Sequence, residues 1–246
     1  MGRARCSGGR TMITLYQLAT SPFTEKVRRA LAYKGIAFDI HEVERAAVPG
    51  GRYAKVSPTG KFPAMDHDGT GIWDSTDIIR HLEAAFPQKP LIPVDPRDAA
   101  LAHVIEDWAD ESLYFYEITM RLAWAHNLEA ALDEFAAGMP GLSHDDVRQR
   151  ILEGAGALTK TQGLGRKPVA QVVADAQRHF AAIDAMLDGR DWLIGSSLSV
   201  ADLAVIAQVN ALLYAVEARD ALAASRNIVA WTARVDSVAP YAKAAS

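Results

Sequence analysis

Ser21-Pro22-Phe23-Thr24 stands directly after a strand-like run, Met12 to Leu18, and opens a stretch of helical periodicity. Pro22 falls at the favoured first helical position and Ser21 suits the N-cap. A helix N-terminus carries unpaired N–H groups and partial positive charge, which stabilise an anion such as a thiolate, and a hydroxyl placed there can donate to it. A plain cap makes the same demand of Ser21, so both readings stand at this residue. Tyr16, at the end of the strand, offers a second hydroxyl for the same chemistry, or simply packs sideways as a strand residue.

These residues sit in a chain of ordinary globular composition. Of its 246 residues 50% are hydrophobic and 23% charged, which argues against disorder, collagen-like repeats and low complexity. The formal charge of -4 provides no overall positive field for phosphate backbones, so nucleic acid is not an expected partner. The single cysteine, Cys6, allows neither an internal disulfide nor a cysteine-based zinc site and fits a reducing cytoplasm. Residues 1–11 lack an apolar signal core and are expected to be a disordered leader. The most apolar stretch, Ala201 to Ala218, is interrupted by Asp202, Gln208, Asn210 and Glu217, so no membrane span is expected.

The elements that must position Ser21 follow a β, α, β order. Val27, Ala30 and Leu31 give a helix an apolar stripe with Lys34 at its basic edge, and Gly35 ends it. Ala37 to Val43 reads as a second strand, with Phe38 and Ile40, and Val43 as a weaker third, alternating against polar neighbours. Two short strands joined by an Asp-Gly turn follow, then a helix from Ser75 to Phe86 with Ile78, Ile79, Leu82, Ala85 and Phe86 on its inner face. Pro87, Pro90, Pro93 and Pro96 block regular structure, which places a linker over 88–96 between an α/β domain over 12–87 and an all-α domain over 97–246. In the second domain, Leu101, Val104, Ile105, Trp108, Ser112, Phe115 and Leu122 are expected on the core face of one long helix. The glycines between 138 and 168 predict short or loosely defined helices there.

Ser21 to Thr24 resembles the active-site turn of the thioredoxin fold in its glutaredoxin form, with both cysteines replaced, which excludes disulfide exchange. Ser21 to Leu31 also resembles the first helix of glutathione S-transferases, especially the omega-like and zeta-like classes, where the Ser21 position contacts the glutathione sulfur. Ser57-Pro58-Thr59-Gly60-Lys61-Phe62-Pro63 is similar to that family's segment ending in a cis-proline; only an X-Pro bond reaches cis at small cost, and an ordinary loop proline is the alternative. A cis bond would turn the Phe62 backbone outward, where an extended peptide could pair with it as an added strand. Asp74-Ser75 resembles the family's Glu-Ser pair: Ser75 and nearby N–H groups suit a carboxylate and Asp74 an ammonium, though either residue could simply cap the helix with Asp77 near N3. Trp192 to Leu203, with the Ser199/Asp202 pair, resembles the family's helical-domain motif and is assigned to folding.

The resemblance covers nearly all of 12–240 and implies a thioredoxin-like α/β domain followed by an all-helical one. It implies glutathione as co-substrate, held by Phe23, Lys61, Phe62, Pro63, Asp74 and Ser75, with Ser21 as the catalytic residue and Tyr16 as runner-up, and a homodimer whose contacts could include the 44–56 loop. The expected activity is conjugation of the glutathione thiolate to a small apolar electrophile; the alternative is a non-catalytic binding or scaffold protein of the same fold.

Tyr116, Met120 and Trp124 repeat at helical spacing where the family's acceptor pocket lies, although such a stripe is equally a core pattern. Glu106, Asp107, Asp110 and Glu111 read as a solvated face or subunit contact rather than a metal or electrophile site. Asp66, Asp68, Gly71 and Asp77 match a calcium loop imperfectly, with no helix ahead of them, and the seven histidines form no metal-hydrolase pair, so no metal is expected. Gly163-Leu164-Gly165-Arg166-Lys167 lacks a phosphate-loop ending and is read as a loop.

Overall fold

The structure, a computed structural model, describes residues 12–241; the expected leader with Cys6 lies outside the described residues. Four strands, β1 (Ile13–Gln17), β2 (Asp39–Glu42), β3 (Ala64–His67) and β4 (Thr70–Trp73), form one sheet in the order β2-β1-β3-β4. β1 and β2 are parallel because α1 (Pro22–Lys34) crosses between them, while β1–β3 and β3–β4 are antiparallel. Gly35 ends α1 at φ 70°, a left-handed position with no Cβ penalty. Asp68 and Gly69, both at positive φ, make the β3–β4 turn, so the calcium-like acidic run is a hairpin. Among the described residues no three His, Cys, Asp or Glu side chains gather as a metal site.

Helix α2 (Ser75–Ala85) buries Ile78, Ile79 and Leu82 beside α1. The helical part holds α3 (Pro96–Trp108), α4 (Tyr114–Glu117), α5 (Ala125–Leu128), α6 (Leu132–Ala137), α7 (His144–Gln162), α8 (Val169–Met186), α9 (Val200–Leu212), α10 (Val216–Ala224) and α11 (Arg226–Val238). α9 lies at the centre, buried at every position but Asn210, and packs on both α1 and α3. One apolar core runs from Leu15 of β1 through Leu31 and Leu82 to Leu203 and Val209 of α9. The Asp202 carboxylate, fully buried, accepts from the N–H groups of Leu193 and Ser199, the Ser199 hydroxyl and the Trp231 indole, all within 2.8–2.9 Å. Among the described residues, no helix is long and apolar enough to cross a membrane.

Three expectations are corrected here. The long helix is interrupted by π turns at Ala109–Leu113 and Ile118–Ala123, each adding a residue that rotates the following stripe. Already ahead of these turns Leu101 and Val104 are exposed, because Ala102 and the Glu106 carboxylate, paired with Lys26, take the inner face of α3, which Ala109, Asp110 and Leu113 continue. The glycine-rich stretch contains the 19-residue α7, nucleated by a Ser143/Asp146 capping box and running through Gly154 and Gly156 to Gly163. Ile40 faces outward on the edge strand β2, whereas Val43 just beyond it is buried.

Candidate functional site

The sheet register gathers the expected binding residues at one end. Ala64 pairs with Tyr16 of β1 on one side and with Trp73 of β4 on the other. Pro63, the turn after Gln17 and Asp74-Ser75 therefore leave the sheet at the same edge. The Phe62–Pro63 bond is cis, and Ser57 donates its hydroxyl to the Lys61 carbonyl at 2.7 Å, closing the loop ahead of it. Phe62 is buried against Tyr53, and Lys61 is exposed. Phe23 is half-buried, its ring 4.9 Å from that of Tyr114.

Ser21 occupies the N-cap of α1 with extended backbone, φ -87° and ψ 128°, yet its hydroxyl makes no capping bond. The turn is held by backbone contacts instead: Ser21 N–H donates to the Leu18 carbonyl at 2.9 Å and its own carbonyl accepts from Glu25 at 3.2 Å. Glu42 reinforces it by accepting from Ala19 N–H at 2.7 Å and the Gln17 amide at 3.0 Å. One turn on, the Thr24 hydroxyl is buried without a hydrogen-bond partner among the described residues. Tyr16 packs beside His41 and Tyr53 in a separate apolar cluster with Phe62.

Asp74 caps α2, accepting from Thr76 N–H at 2.9 Å, and does so at φ 73°, a strained backbone for a residue with a Cβ. Ser75 behind it is buried and lies 3.4 Å from Lys26 Nζ. Lys26 is the centre of a buried ionic cluster: its ammonium also meets Asp110 at 2.5 Å, Glu106 at 2.6 Å and the Thr76 hydroxyl at 3.2 Å. The Thr76 hydroxyl donates to Glu106 at 3.0 Å. Burial works to lower the Lys26 pKa, but the Asp110 and Glu106 carboxylates outweigh it and hold it above its ordinary value. Burial pushes Asp110 up to about 6 despite the ammonium beside it. Two of the four acidic residues expected on a solvated face are thus interior, because an i, i+4 carboxylate pair can point inward once a cation meets it. Lys26 escaped the sequence reading, since charge on a helix is read as solvent-facing until its partner, 84 residues away, is in place.

A cavity of about 530 Å³ opens beside Ser21. Its walls are the Ala19–Pro22 turn, Glu25 and Arg29 of α1, Asn210, Ala211, Leu213 and Tyr214 at the end of α9, Arg121, Glu134, Asp236 in the last turn of α11, and Pro240 and Tyr241 after it. Arg29 bonds Glu25 at 2.8 Å, Asp236 at 2.8 Å and the Ala239 carbonyl at 2.7 Å, and Asn210 donates to Glu25 at 2.6 Å. Arg121 is ion-paired with the fully buried Glu117 and donates to the Thr20 carbonyl at 3.3 Å. None of Tyr116, Met120 and Trp124 lines this cavity. Met120 is fully buried, Trp124 packs against the main core, and Tyr116 borders a second cavity of about 370 Å³ with Ser112, Leu164 and Lys167.

A thioredoxin-like sheet with a cis-proline, a helix N-terminus carrying an uncapped serine and an appended all-α domain define a class of protein, and the comparisons agree with it. The glutathione S-transferase N-terminal domain profile matches residues 15–90 and the C-terminal domain profile of the same family matches residues 159–243. The chain belongs to the glutathione S-transferase family.

Among its relatives, Protein LigF of Sphingobium sp. strain SYK-6 is 25% identical over 65% of this chain and 62% of its own length, so the match spans less than two thirds of that protein. The crystal structure titled beta-etherase LigF superimposes with a TM-score of 0.68 at 22% identity, covering 91% of this chain and 94% of the other, a likeness of fold. Isoprene-epoxide–glutathione S-transferase of Rhodococcus sp. strain AD45 is 29% identical over 74% of this chain and 76% of its own. FtsZ-localized protein A of Caulobacter vibrioides is 23% identical over 82% of this chain and 77% of its own.

Proposed function

We propose that the protein is a glutathione transferase that conjugates the glutathione thiolate to a small electrophile. The carrying observation is the Ser21 hydroxyl: it stands at the N-terminus of α1, makes no capping bond, and opens on the cavity. Its proton is available to a sulfur anion seated there, and the helix terminus adds favourable potential. Lowering a thiol pKa by about two units takes roughly 2.7 kcal/mol of preferential thiolate stabilisation, within reach of one charge-assisted hydrogen bond and a helix terminus. In this reading Phe62 offers its backbone to the peptide beside the cis-proline, Ser75 and the α2 N-terminus receive the γ-glutamyl carboxylate, and Asp74 receives its ammonium. Phe23 and Lys61 flank the tripeptide, and Tyr16 remains the second hydroxyl.

Residues 12–87 serve as the glutathione domain and 97–246 as the acceptor side, joined by 88–96. The protein works as a homodimer in a reducing cytoplasm, without metal, nucleic acid or membrane. The relative named for an isoprene epoxide supports a small electrophile as acceptor. The likeness to an FtsZ-localized protein favours, as the second reading, a binding protein of this fold without turnover. Calorimetric titration with glutathione followed by conjugation assays separates them. Binding with turnover supports the enzyme, binding without turnover the second reading, and no heat and no thermal stabilisation by glutathione overturns the first.

A further inference from the structure

The helical domain reaches Ser21 through the residue before it. Arg121, in the π turn Ile118–Ala123, donates from both Nη1 and Nη2 to the Thr20 carbonyl at 3.3 Å. Behind it the guanidinium is ion-paired with Glu117, one turn earlier and fully buried. Arg45, in the loop after β2, brings a second guanidinium to the same residue, 3.5 Å from the Thr20 hydroxyl. The Phe135 ring of α6 serves both cations, with its centroid 5.6 Å from Arg121 and 5.9 Å from Arg45. Thr20 is thus gripped from two sides, while Glu42 holds Ala19 from the sheet.

Among the described residues the cavity beside Ser21 is lined by two cations, Arg29 and Arg121, and three carboxylates, Glu25, Glu134 and Asp236. Arg29 is held by Glu25 and Asp236, so its charge is met within the wall. The carboxylate that meets Arg121 lies behind it, outside the lining, and the pair is a dipole whose positive end faces the Ser21 turn. An unbonded Thr20 carbonyl would set the negative end of a peptide dipole beside the proposed seat of the sulfur anion, and the guanidinium offsets it. The same fork fixes the plane of the Thr20–Ser21 peptide, and with it the Cα from which the uncapped hydroxyl projects.

We infer that Arg121 is a positioning residue for the reaction: backed by Glu117, it locks the Thr20–Ser21 peptide and turns the positive end of a buried ion pair toward the sulfur. The inference rests on the transferase reading above. It gives the helical domain a share in activating the thiol, carried through the backbone of the turn rather than through a contact to the acceptor. The test is a pH titration of bound glutathione, followed by the ultraviolet absorbance of its thiolate with no electrophile present, so that the identity of the acceptor does not enter.

In the wild type the bound thiol should ionise well below the free value of about 8.5, its proton leaving to solvent. Replacing Arg121 alone would strand the buried Glu117, so the main variant is Glu117→Met with Arg121→Met, an apolar exchange of similar volume that buried ion pairs commonly tolerate. Its bound thiol should titrate about one unit higher, roughly a tenfold smaller thiolate fraction below that point and the scale of one hydrogen bond, while glutathione affinity holds at acid pH. Arg121→Lys, which keeps the charge against Glu117 but loses the fork, should fall between the two. A purely structural role would lower Tm without moving this titration. A bound thiol that titrates in the folded double variant as it does in the wild type overturns the inference and leaves the transferase reading standing; where the double variant does not fold, an unmoved titration in Arg121→Lys does the same. No binding of glutathione, or no lowered titration in the wild type, overturns both.

Discussion

Lys26 of α1 and Asp110 of the π turn that follows α3 meet at 2.5 Å in the interior, on the floor beneath the α2 N-terminus that carries Ser75. This ion pair crosses from the sheet-bearing domain to the helical one. Removing one member of such a pair leaves an uncompensated buried charge, which typically costs about 3–5 kcal/mol. Lys26→Met is expected to lower Tm by about 10 °C in calorimetry, since about 1 kcal/mol is worth 2–4 °C in a chain of this size. Lys26→Arg should recover part of the loss.

The same pair carries a pH signature. Burial raises the folded-state pKa of Asp110 to about 6 from an ordinary 3.8, so between those values the folded protein holds a proton that the unfolded chain has released. The contribution of Asp110 to stability is therefore largest at acid pH and declines as pH rises through that window. Asp110→Asn should gain on the wild type by on the order of 1–3 kcal/mol between pH 4 and pH 7, read by denaturant titration at each pH. A gap that is flat with pH contradicts this titration.

At the proposed thiolate site, Ser21→Ala removes a hydroxyl that makes no capping bond and should leave Tm nearly unchanged. Conjugation should fall by about 10- to 100-fold, the scale of one hydrogen bond to a charged group, with glutathione affinity nearly preserved. Lost binding with intact turnover would be inconsistent with the role assigned to Ser21.

Asp74 sits at φ 73° and gives its side chain to Thr76 N–H. Asp74→Gly relieves the backbone but removes both the capping oxygen and the charge facing the proposed ammonium. The expected outcome is a Tm within a few degrees of wild type and a glutathione KM raised about tenfold or more, the loss of a charge-assisted contact. Raised KM with kcat largely retained is the pattern that marks this residue as a binding group.

His67 Nδ1 and His81 Nε2 lie 2.7 Å apart, so at least one ring must be neutral. Burial, with His67 adding to it, holds the His81 pKa below its ordinary value. A depressed histidine pKa penalises the folded state as pH falls through the unfolded value near 6.5. His81→Gln should flatten the loss of stability between pH 7 and pH 5 relative to wild type, as followed by thermal melts.

Much of the scaffold was legible because its signals are local. Pro22 after Ser21, Gly35 at the end of α1, the Asp68-Gly69 turn and the Ser199/Asp202 pair each act within a few residues, and each marks an element boundary in the structure. Periodicity failed for two reasons: in α3 a buried ion pair with Lys26 turns Glu106 inward and leaves Leu101 and Val104 outside, and after Trp108 two π turns break the regular α repeat. Glycine content misled over 144–162, where the Ser143 capping box and packing against the Ile118–Ala123 turn outweigh the propensity cost of Gly154 and Gly156. The cavity beside Ser21 was out of reach because Arg29, Arg121, Asn210 and Tyr241 become neighbours only after the chain has folded.

Because α9 has almost no face left for water and lies against α1, the polypeptide between Pro87 and Asp95 tethers the two domains without being what holds them together. A protease that nicked this tether would be expected to yield two fragments that travel as one particle on a sizing column. Neither piece expressed alone would have a way to cover the oily surface it had been sharing.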